Sequence, residues 1–239
     1  MAEIDLSEVL RPALLDGVSI VLAHAGGAAA GTAAEVGAVC SALGATVHAC
    51  ALVCSGAPED DDAAVEGALA SALDGASVEM LVIDAAGLFA HRGGASDPAG
   101  AASGDRAPAP GTALIAALEA RWRMTRAVAN VAFIPGGAGG RIVYLAPPKA
   151  GSGSAAAGRE QAPPEDADRH ADAARAGLEN LARTLSIEWA RYGITPVAIA
   201  PGARTSSSEI AGVVAFLASP AGAYFSGCLL DLAGARADG

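Results

Sequence analysis

The segment 172–202 constrains the fold more than any other part of this sequence. Apolar residues recur in its first part at spacings of three and four, which is the pattern of one buried helical face. These residues are Ala174, Leu178, Leu181, Leu185 and Trp189. Gly193 follows where a helix end needs a positive φ, and the apolar run 194–200 then stops at Pro201-Gly202. The segment therefore predicts a helix, a tight turn and a buried parallel strand, which together make half of a βαβ unit.

Strand and helix patterns alternate along the rest of the chain as well. Strands are predicted at residues 17–25, 46–54, 79–84, 141–145 and around 227–232. Helices are predicted at residues 32–43, 63–73, 115–128, 172–191 and 208–217. This alternation predicts one α/β domain over residues 1–239, with a dinucleotide-fold opening. Two stretches rich in Gly, Ala, Ser and Pro, 91–111 and 150–168, predict flexible loops.

The composition excludes several classes of protein. The chain has 239 residues, of which 52% are apolar, and this suffices for one large core. Its net charge of −11 and its single lysine, Lys149, disfavour nucleic acid, because phosphate binding needs clustered Lys and Arg. No run of about 18 apolar residues appears, and acidic residues interrupt the segment 1–16, so we expect no membrane span, no signal peptide and a cytoplasmic location. The four cysteines lie in apolar stretches and have no ligand-pair spacing beyond one C-x-x-x-C at residues 50–54, so we expect buried thiols and no metal.

A family resemblance begins at Arg175-Ala176-Gly177-Leu178 and extends to the Pro201-Gly202 turn. From Ala176 to Gly202 the sequence closely resembles the short-chain dehydrogenase/reductase family, in which this helix starts with Y-x-x-x-K and the strand ends in P-G. The resemblance implies a Rossmann-like doubly wound parallel sheet of seven strands that binds NAD(P). Only one strand and one helix occupy residues 45–78, where the family has one more of each. We therefore expect a sheet one strand short of seven.

The glycine-rich segment 24–33 resembles the family's cofactor turn, T-G-x-x-x-G-x-G. The family's glycines fall on Gly27, Gly31 and Ala33, so Gly27 and Gly31 are the candidate cofactor-binding residues. A glycine-rich turn can also serve only the close packing of a strand against a helix. The family's N-N-A-G resembles residues 84–87, in which an alanine replaces the second amide. These replacements predict that the chain binds no cofactor or binds it weakly.

The family's catalytic side chains are absent from the matching positions. Its asparagine, serine, tyrosine and lysine correspond to Ala117, Pro147 (or Ala146 in the neighbouring register), Ala171 and Arg175. In the family, the phenol donates a proton, the ammonium lowers the pKa of that phenol, and the serine holds the carbonyl oxygen. Alanine has no proton to donate, and Arg175 is cationic at any useful pH, so it cannot replace the acid. His170, beside the missing tyrosine, is the remaining candidate acid.

Three functions fit this pattern. The first is a catalytically silent subunit that associates with an active paralogue in a hetero-oligomeric NAD(P)-dependent dehydrogenase, a dimer or tetramer in which the partner holds the cofactor. The segment 203–207 is too short for the family's substrate lid, which agrees with this interpretation. The second is an NAD(P)-dependent oxidoreductase with an atypical active site, and the third is a ligand-binding regulatory module. For the first, the interface residues would be Ala174, Gly177, Leu178, Leu181, Ala182, Leu185 and Trp189.

Overall fold

The computed structural model describes residues 11–25, 31–52, 58–84, 110–148 and 164–232. The strands found there are β1 Ser19–Ala25, β2 Thr46–Leu52, β3 Met80–Asp84, β4 Gly140–Leu145, β5 Ile194–Ala200 and β6 Cys228–Asp231. The α-helices found there are α1 Thr32–Ala42, α2 Pro58–Leu73, α3 Pro110–Val128, α4 Ile134–Gly136, α5 Pro164–Glu188 and α6 Ser207–Ala218. A π-helical turn, Ala129–Phe133, joins α3 to α4, and 3₁₀ turns follow α5 and α6 at Ala190–Tyr192 and Pro220–Tyr224.

The described strands form one parallel sheet in the order β2-β1-β3-β4-β5-β6. The chain moves outward from β1 to β2 and then returns to the other side of β1 with β3. The direction of winding therefore reverses between β1 and β3. Open α/β sheets bind their ligands outside the carboxyl ends of the strands at such a reversal. The topology thus places a candidate site at the carboxyl ends of β1 and β3.

Helices cover both faces of the sheet. In β1, Val21 and Ala23 belong to the apolar layer under α2, α3 and α5, whereas Ile20 and Leu22 belong to the layer under α1 and α6. All four side chains are at most 4% exposed. The sheet has six strands in the described part of the chain, which confirms the predicted Rossmann-like α/β fold and the prediction of one strand fewer than seven.

The strand positions agree closely with the prediction, and Gly193 has the expected positive φ, 70°. Three helices begin earlier than predicted: α2 at Pro58, α3 at Pro110 and α5 at Pro164. Each starts with a proline, whose missing N–H costs nothing in the first turn and whose fixed φ suits a helix. Residues 110–111 and 164–168 are therefore helical, which corrects the ends of the loops predicted at 91–111 and 150–168. The rest of those two stretches lies outside the described residues.

Arg141, at the amino end of β4, holds α6 in place. Its Nη1 donates to the carbonyl oxygens of Leu217, Ala218 and Ser219 at 2.6 to 2.7 Å. These carbonyls lie at the C-terminal end of α6, where the helix has no further N–H groups of its own to donate to them; that of Ser219 also accepts from Gly222 N at 3.0 Å. Burial lowers the pKa of this guanidinium, but its charge still faces the negative end of the helix dipole. The contact fixes the orientation of α6, whose other end reaches the candidate site.

Candidate functional site

The N-terminus of α1, which follows β1 in the chain, lies at the carboxyl edge of the sheet. Gly31 is the N-cap residue, with φ 145° and ψ −172°, a conformation that is essentially restricted to glycine. Because glycine has no side chain to cap the first turn, the N–H groups of that turn are suited to an anion. Ala33, at the third glycine position, packs its methyl group into the apolar layer under α1 and α6. Gly27, the other predicted cofactor-binding residue, lies outside the described part of the chain.

The N-terminus of α6 lies beside that of α1. The hydroxyl oxygens of Thr32 and Ser207, each at the start of its helix, are 3.3 Å apart. A capping box closes α6: Glu209 N donates to Ser206 Oγ at 3.2 Å, and Ser206 N donates to Glu209 Oε2 at 2.8 Å. The Glu209 carboxylate thus already occupies the positive end of α6. Of these two helix starts, α1 is therefore the one suited to a phosphate.

A buried charged pair at the end of β3 was not predicted from the sequence. Asp84, the last residue of β3, is buried, and its charge stabilises the guanidinium of Arg121 on α3, which is completely buried. Burial lowers the pKa of Arg121 to about 10, and Asp84 opposes this shift. Arg121 lies one helical turn after Ala117, the position of the missing asparagine. The spacing of four residues was the signal that could have placed Arg121 at this edge of the sheet.

Tyr144, near the end of β4, is fully buried. Its hydroxyl oxygen lies 3.1 Å from Thr125 Oγ1 on α3. Burial raises the pKa of this phenol well above its ordinary value, and the hydrogen bond with Thr125 offsets only part of the increase. Tyr144 is therefore a core residue with a satisfied hydroxyl group, and it is not poised to donate a proton at neutral pH.

Arg175 joins the carboxyl ends of three strands. Its Nη1 donates to the carbonyl oxygens of Pro201, after β5, at 3.0 Å and of Pro147, after β4, at 3.3 Å. Its Nη2 lies 3.8 Å from Asp231 Oδ1 at the end of β6. Ala171, one turn earlier on α5, and Ala146, next to Pro147, are also buried. None of the residues at 146, 147 and 171 carries a hydroxyl group, so the edge around Arg175 has a cation and no proton donor among them.

Two further predictions concern segments beside the site: the connection between β5 and α6, and the region of His170. The chain turns at Gly202, whose N–H donates to Thr205 Oγ1 at 2.9 Å, and reaches the cap of α6 at Ser206. No helical lid lies between β5 and α6, as the short spacing predicted. His170 lies within α5 and not in a loop, because the helix already begins at Pro164. The side chain of His170 is outside the described part of the chain.

Four of the seven predicted interface residues lie in the core of the subunit, so this part of the prediction is wrong. They are at most 1% exposed, because this face of α5 packs on the sheet: Ala174, Leu178, Ala182 and Leu185. Gly177, Leu181 and Trp189 remain partly exposed. Trp189 stacks on Trp122 of α3, with ring centroids 5.9 Å apart. The surface left for a partner is therefore the outer side of α3 and α5.

The described residues also lack a metal site, a membrane-spanning helix and a reactive thiol pair in the following sense. Among the described residues, no group of three or more His, Cys, Asp or Glu side chains could hold a metal ion. No described helix is long and apolar enough to cross a membrane. Cys40, Cys50 and Cys228 form no disulfide, and burial raises the pKa of each thiol, that of Cys40 to about 12. Thiols with a raised pKa are poor nucleophiles.

No protein-family model matches the sequence. Solved structures do resemble the chain over almost its whole length. A citronellol catabolism dehydrogenase of Pseudomonas aeruginosa is 23% identical, with a TM-score of 0.65 over 95% of this chain and 98% of that one. A short-chain dehydrogenase of Mycobacterium smegmatis is 22% identical, with a TM-score of 0.66 over 94% of this chain and 95% of that one. A hydroxysteroid dehydrogenase of Escherichia coli is 20% identical, with a TM-score of 0.62 over 94% and 99%.

These comparisons and the sheet topology define the class of fold. It is a Rossmann-like α/β fold with helices on both faces of a parallel sheet. More specifically, it is the fold of the short-chain dehydrogenases. At these levels of sequence identity the likeness establishes the fold alone, and the chemistry has to be argued from the residues at the site.

Proposed function

We propose that this chain is a catalytically silent subunit with the short-chain dehydrogenase fold. It associates with an active paralogue of the same fold in a hetero-oligomeric NAD(P)-dependent dehydrogenase, and the paralogue holds the cofactor and carries out hydride transfer. The observation that carries the proposal is the binding of Arg175 to two main-chain carbonyl oxygens and to Asp231. In the resembling family, a lysine at this position tunes the tyrosine that donates the proton.

None of the residues that match the family's serine, tyrosine and lysine replaces that proton donor. Hydride transfer to a carbonyl requires a proton donor beside the carbonyl oxygen. Ala171 replaces the tyrosine, and the buried phenol of Tyr144 is hydrogen-bonded to Thr125 on α3. Arg175 has a structural role, because its guanidinium is held by groups at the ends of β4, β5 and β6. This supports a subunit in which the fold is retained and the chemistry is not.

An exposed apolar surface supports association with a partner. It consists of large side chains on the outer side of α3 and on or just after α5, three of them exposed and two half-buried, and we refer to it as the α3–α5 surface: Ile115, Trp122 and Ile187, with Leu181 and Trp189. Ile115 is 59% exposed and Ile187 is 79% exposed, although both are strongly apolar. A cluster of exposed apolar residues often marks a protein–protein interface. In the resembling family the two corresponding helices pack against their counterparts about a two-fold axis.

Co-expression tests the proposed assembly. We expect this chain and a catalytic short-chain dehydrogenase paralogue from the same genome to elute as one complex on size-exclusion chromatography. Ile115→Arg combined with Ile187→Arg should dissociate that complex by placing two charges in the interface, without disturbing the core, because both side chains are exposed. Ser71→Arg is the matched control, since Ser71 is exposed on α2, away from the α3–α5 surface. A soluble monomer that does not bind the paralogue would contradict the proposal.

A ligand-binding regulatory module is the second candidate, and the start of α1 favours it. Gly31 has a glycine-specific conformation, and the helix behind it lacks a side-chain cap. Both features suit a phosphate.

The titration of NADH and NADPH separates this candidate from the silent subunit. The replacement of the family's second asparagine by Ala85 removes a polar group from the resembling cofactor site. For the silent subunit we expect calorimetric titration to show no binding of NADH or NADPH, or a dissociation constant weaker than about 100 μM, equivalent to about −5.5 kcal/mol. Low-micromolar binding would favour the regulatory module over the silent subunit.

A further inference from the structure

An Asp-Gly pair forms a tight turn at the end of α2. The N–H of Ala76 donates to the carbonyl oxygen of Leu73 at 2.8 Å, and the residues between them, Asp74 and Gly75, have φ values of 44° and 80°. Positive φ at both central residues is typical of a type I′ turn, in which Asp-Gly is a preferred pair. Both central residues are exposed, so the turn lies on the surface between α2 and β3.

The carboxyl group of Asp74 and the main-chain nitrogen of Gly75 are available to react with each other. In the described part of the chain, the Gly75 N–H donates to no acceptor, and the Asp74 carboxylate makes no hydrogen bond or ion pair. A side chain at position 75 would meet no atom within 4 Å, so the space around this glycine is open. Glycine has no β-carbon to obstruct the approach of a carboxyl carbon to its nitrogen. The two groups belong to neighbouring residues, so their reaction is intramolecular and favoured by proximity.

A second Asp-Gly pair, Asp16–Gly17, provides a comparison within the same protein. It also forms a turn, in which the N–H of Val18 donates to the carbonyl oxygen of Leu15 at 3.0 Å, and Gly17 has a φ of 77°. The carboxylate of Asp16, however, lies against Gly44 and fills the space that a side chain there would need. A reaction of Asp16 with the next nitrogen therefore requires the carboxylate to leave this contact.

Main-chain hydrogen bonds also hold the first of these turns on both sides. Before it, Leu15 donates its N–H to the carbonyl oxygen of Leu43 at 2.9 Å, and after it, the carbonyl oxygen of Val18 accepts from Thr46 N at 2.9 Å. The turn after α2 is held only by its own helix in the described part of the chain, through Asp74 N and the carbonyl oxygen of Ala70 at 3.1 Å and through its turn bond. Rotation of the main chain is therefore easier at residue 74 than at residue 16.

We propose that Asp74–Gly75, in preference to Asp16–Gly17, is a site of spontaneous modification at which aspartate isomerises to isoaspartate. The Gly75 nitrogen attacks the carboxyl carbon of Asp74 and loses its proton, and one carboxyl oxygen leaves as water, which gives a cyclic imide. Water then adds to one of the two imide carbonyl carbons, and the C–N bond at that carbon breaks. Breakage at the main-chain carbonyl of Asp74 gives isoaspartate, whereas breakage at the side-chain carbonyl restores aspartate. One water is released and one is consumed, so the reaction needs no co-reactant and leaves the mass unchanged.

The product has one more main-chain carbon atom between α2 and β3. The hydrogen bond from Ala76 N to the carbonyl oxygen of Leu73 spans this position, so we expect the modification to break it. Leu73 and Val78, on either side of the turn, are 5% and 6% exposed and belong to the apolar layer under α2, α3 and α5. The lengthened turn therefore has to fit between two residues that are fixed in the core.

Peptide mapping with electron-transfer dissociation tests the site, because it distinguishes isoaspartate from aspartate at equal mass. The full-length protein is incubated at neutral pH and body temperature, and samples are taken over several weeks. We expect isoaspartate to accumulate at residue 74 and to stay at the level of fresh protein at residue 16. In urea, where the folded structure is lost, both pairs should convert at similar rates. An isoaspartyl methyltransferase with labelled S-adenosylmethionine should methylate the aged protein and not the fresh one.

Asp74→Glu should abolish both signals in the folded protein, because its longer side chain would have to close a six-membered ring. Asp16→Glu is the matched control, since it makes the same change in the other Asp-Gly pair, and it should keep the wild-type rate. Circular dichroism of each variant checks that the fold is kept. An absence of isoaspartate at residue 74 in the folded wild type, once the sample in urea has converted, would overturn the proposal. Equal accumulation at residues 16 and 74 in the folded protein would overturn it as well.

Discussion

The isolated chain is expected to show no NAD(P)-dependent oxidation of alcohols or reduction of carbonyl compounds. A proton donor and a group that stabilises the developing oxyanion each contribute roughly 10² or more to the rate of such reactions. Both are missing where the family resemblance places them, at Ala171 and Pro147. Their joint loss corresponds to a factor of at least about 10⁴, or about 5.5 kcal/mol of transition-state stabilisation. Spectrophotometry of NADH and NADPH with a panel of aldehydes, ketones and alcohols makes the measurement.

The same assay separates the silent subunit from an enzyme with an atypical acid. An active short-chain dehydrogenase measured in parallel shows that the substrate panel is adequate. Turnover by this chain that disappears in His170→Ala would contradict the prediction and identify the histidine on α5 as the acid. Ala171→Tyr combined with Arg175→Lys is a further check. We expect this double variant to remain inactive, because Pro147 still provides no hydroxyl group to hold the carbonyl oxygen.

The sheet could be predicted from the sequence because each buried parallel strand is a short apolar run bounded by turn residues. The starts of two helices could not, because Pro110 and Pro164 look like the ends of loops when they are seen without their neighbours, whereas the acidic residues after Pro58 already indicated a first turn before residue 63. In the structure each proline occupies a first turn, where it is well tolerated. A proline after a small-residue stretch is therefore ambiguous, since it suits both the loop and the first turn of the helix that follows it.

The apolar stripe on α5 shows a different limit of prediction from sequence. The spacing of Ala174, Leu178 and Leu185 correctly predicted a buried face, but periodicity cannot tell whether a sheet or a second subunit buries it. In the structure the sheet does so, and the surface left for a partner depends on residues such as Ile187, which lies outside that stripe. The exposure of a side chain depends on tertiary packing. The spacing of apolar residues along one helix gives no information about that packing.

The charged residues at the carboxyl edge show why a site is harder to predict than a fold. Arg175 could be aligned with the family's lysine, but its hydrogen-bond acceptors follow two strands that are distant in sequence from each other, at Pro147 and Pro201. Arg121 and Asp84 interact across α3 and β3, and no motif joins them. Contacts of this kind depend on which strand ends the topology brings together, so they become visible only once the order of the sheet is known.

Arg175→Met is expected to reduce the free energy of unfolding by about 2 to 4 kcal/mol. Methionine keeps most of the apolar stem but removes the donors that bind the carbonyl oxygens of Pro147 and Pro201 at 3.3 and 3.0 Å. A buried carbonyl that loses its donor retains the cost of its lost hydration, about 1 to 3 kcal/mol for each group. Asp231 also loses its cationic partner. Urea denaturation followed by circular dichroism measures the change.

Two further variants on α5 test whether the loss of stability comes from the hydrogen bonds of Arg175. Arg183→Met removes a cation that is 65% exposed and pairs with Glu179 one turn away, so it should change the stability by less than about 0.5 kcal/mol. Arg175→Lys restores the charge but not the planar fork that can reach several acceptors at once, so its stability should lie between those of the wild type and Arg175→Met. If Arg175→Met proves as stable as Arg183→Met, Arg175 does not hold the strand ends together. The cation would then be free for another role at this edge, which would remove the main support for the silent subunit.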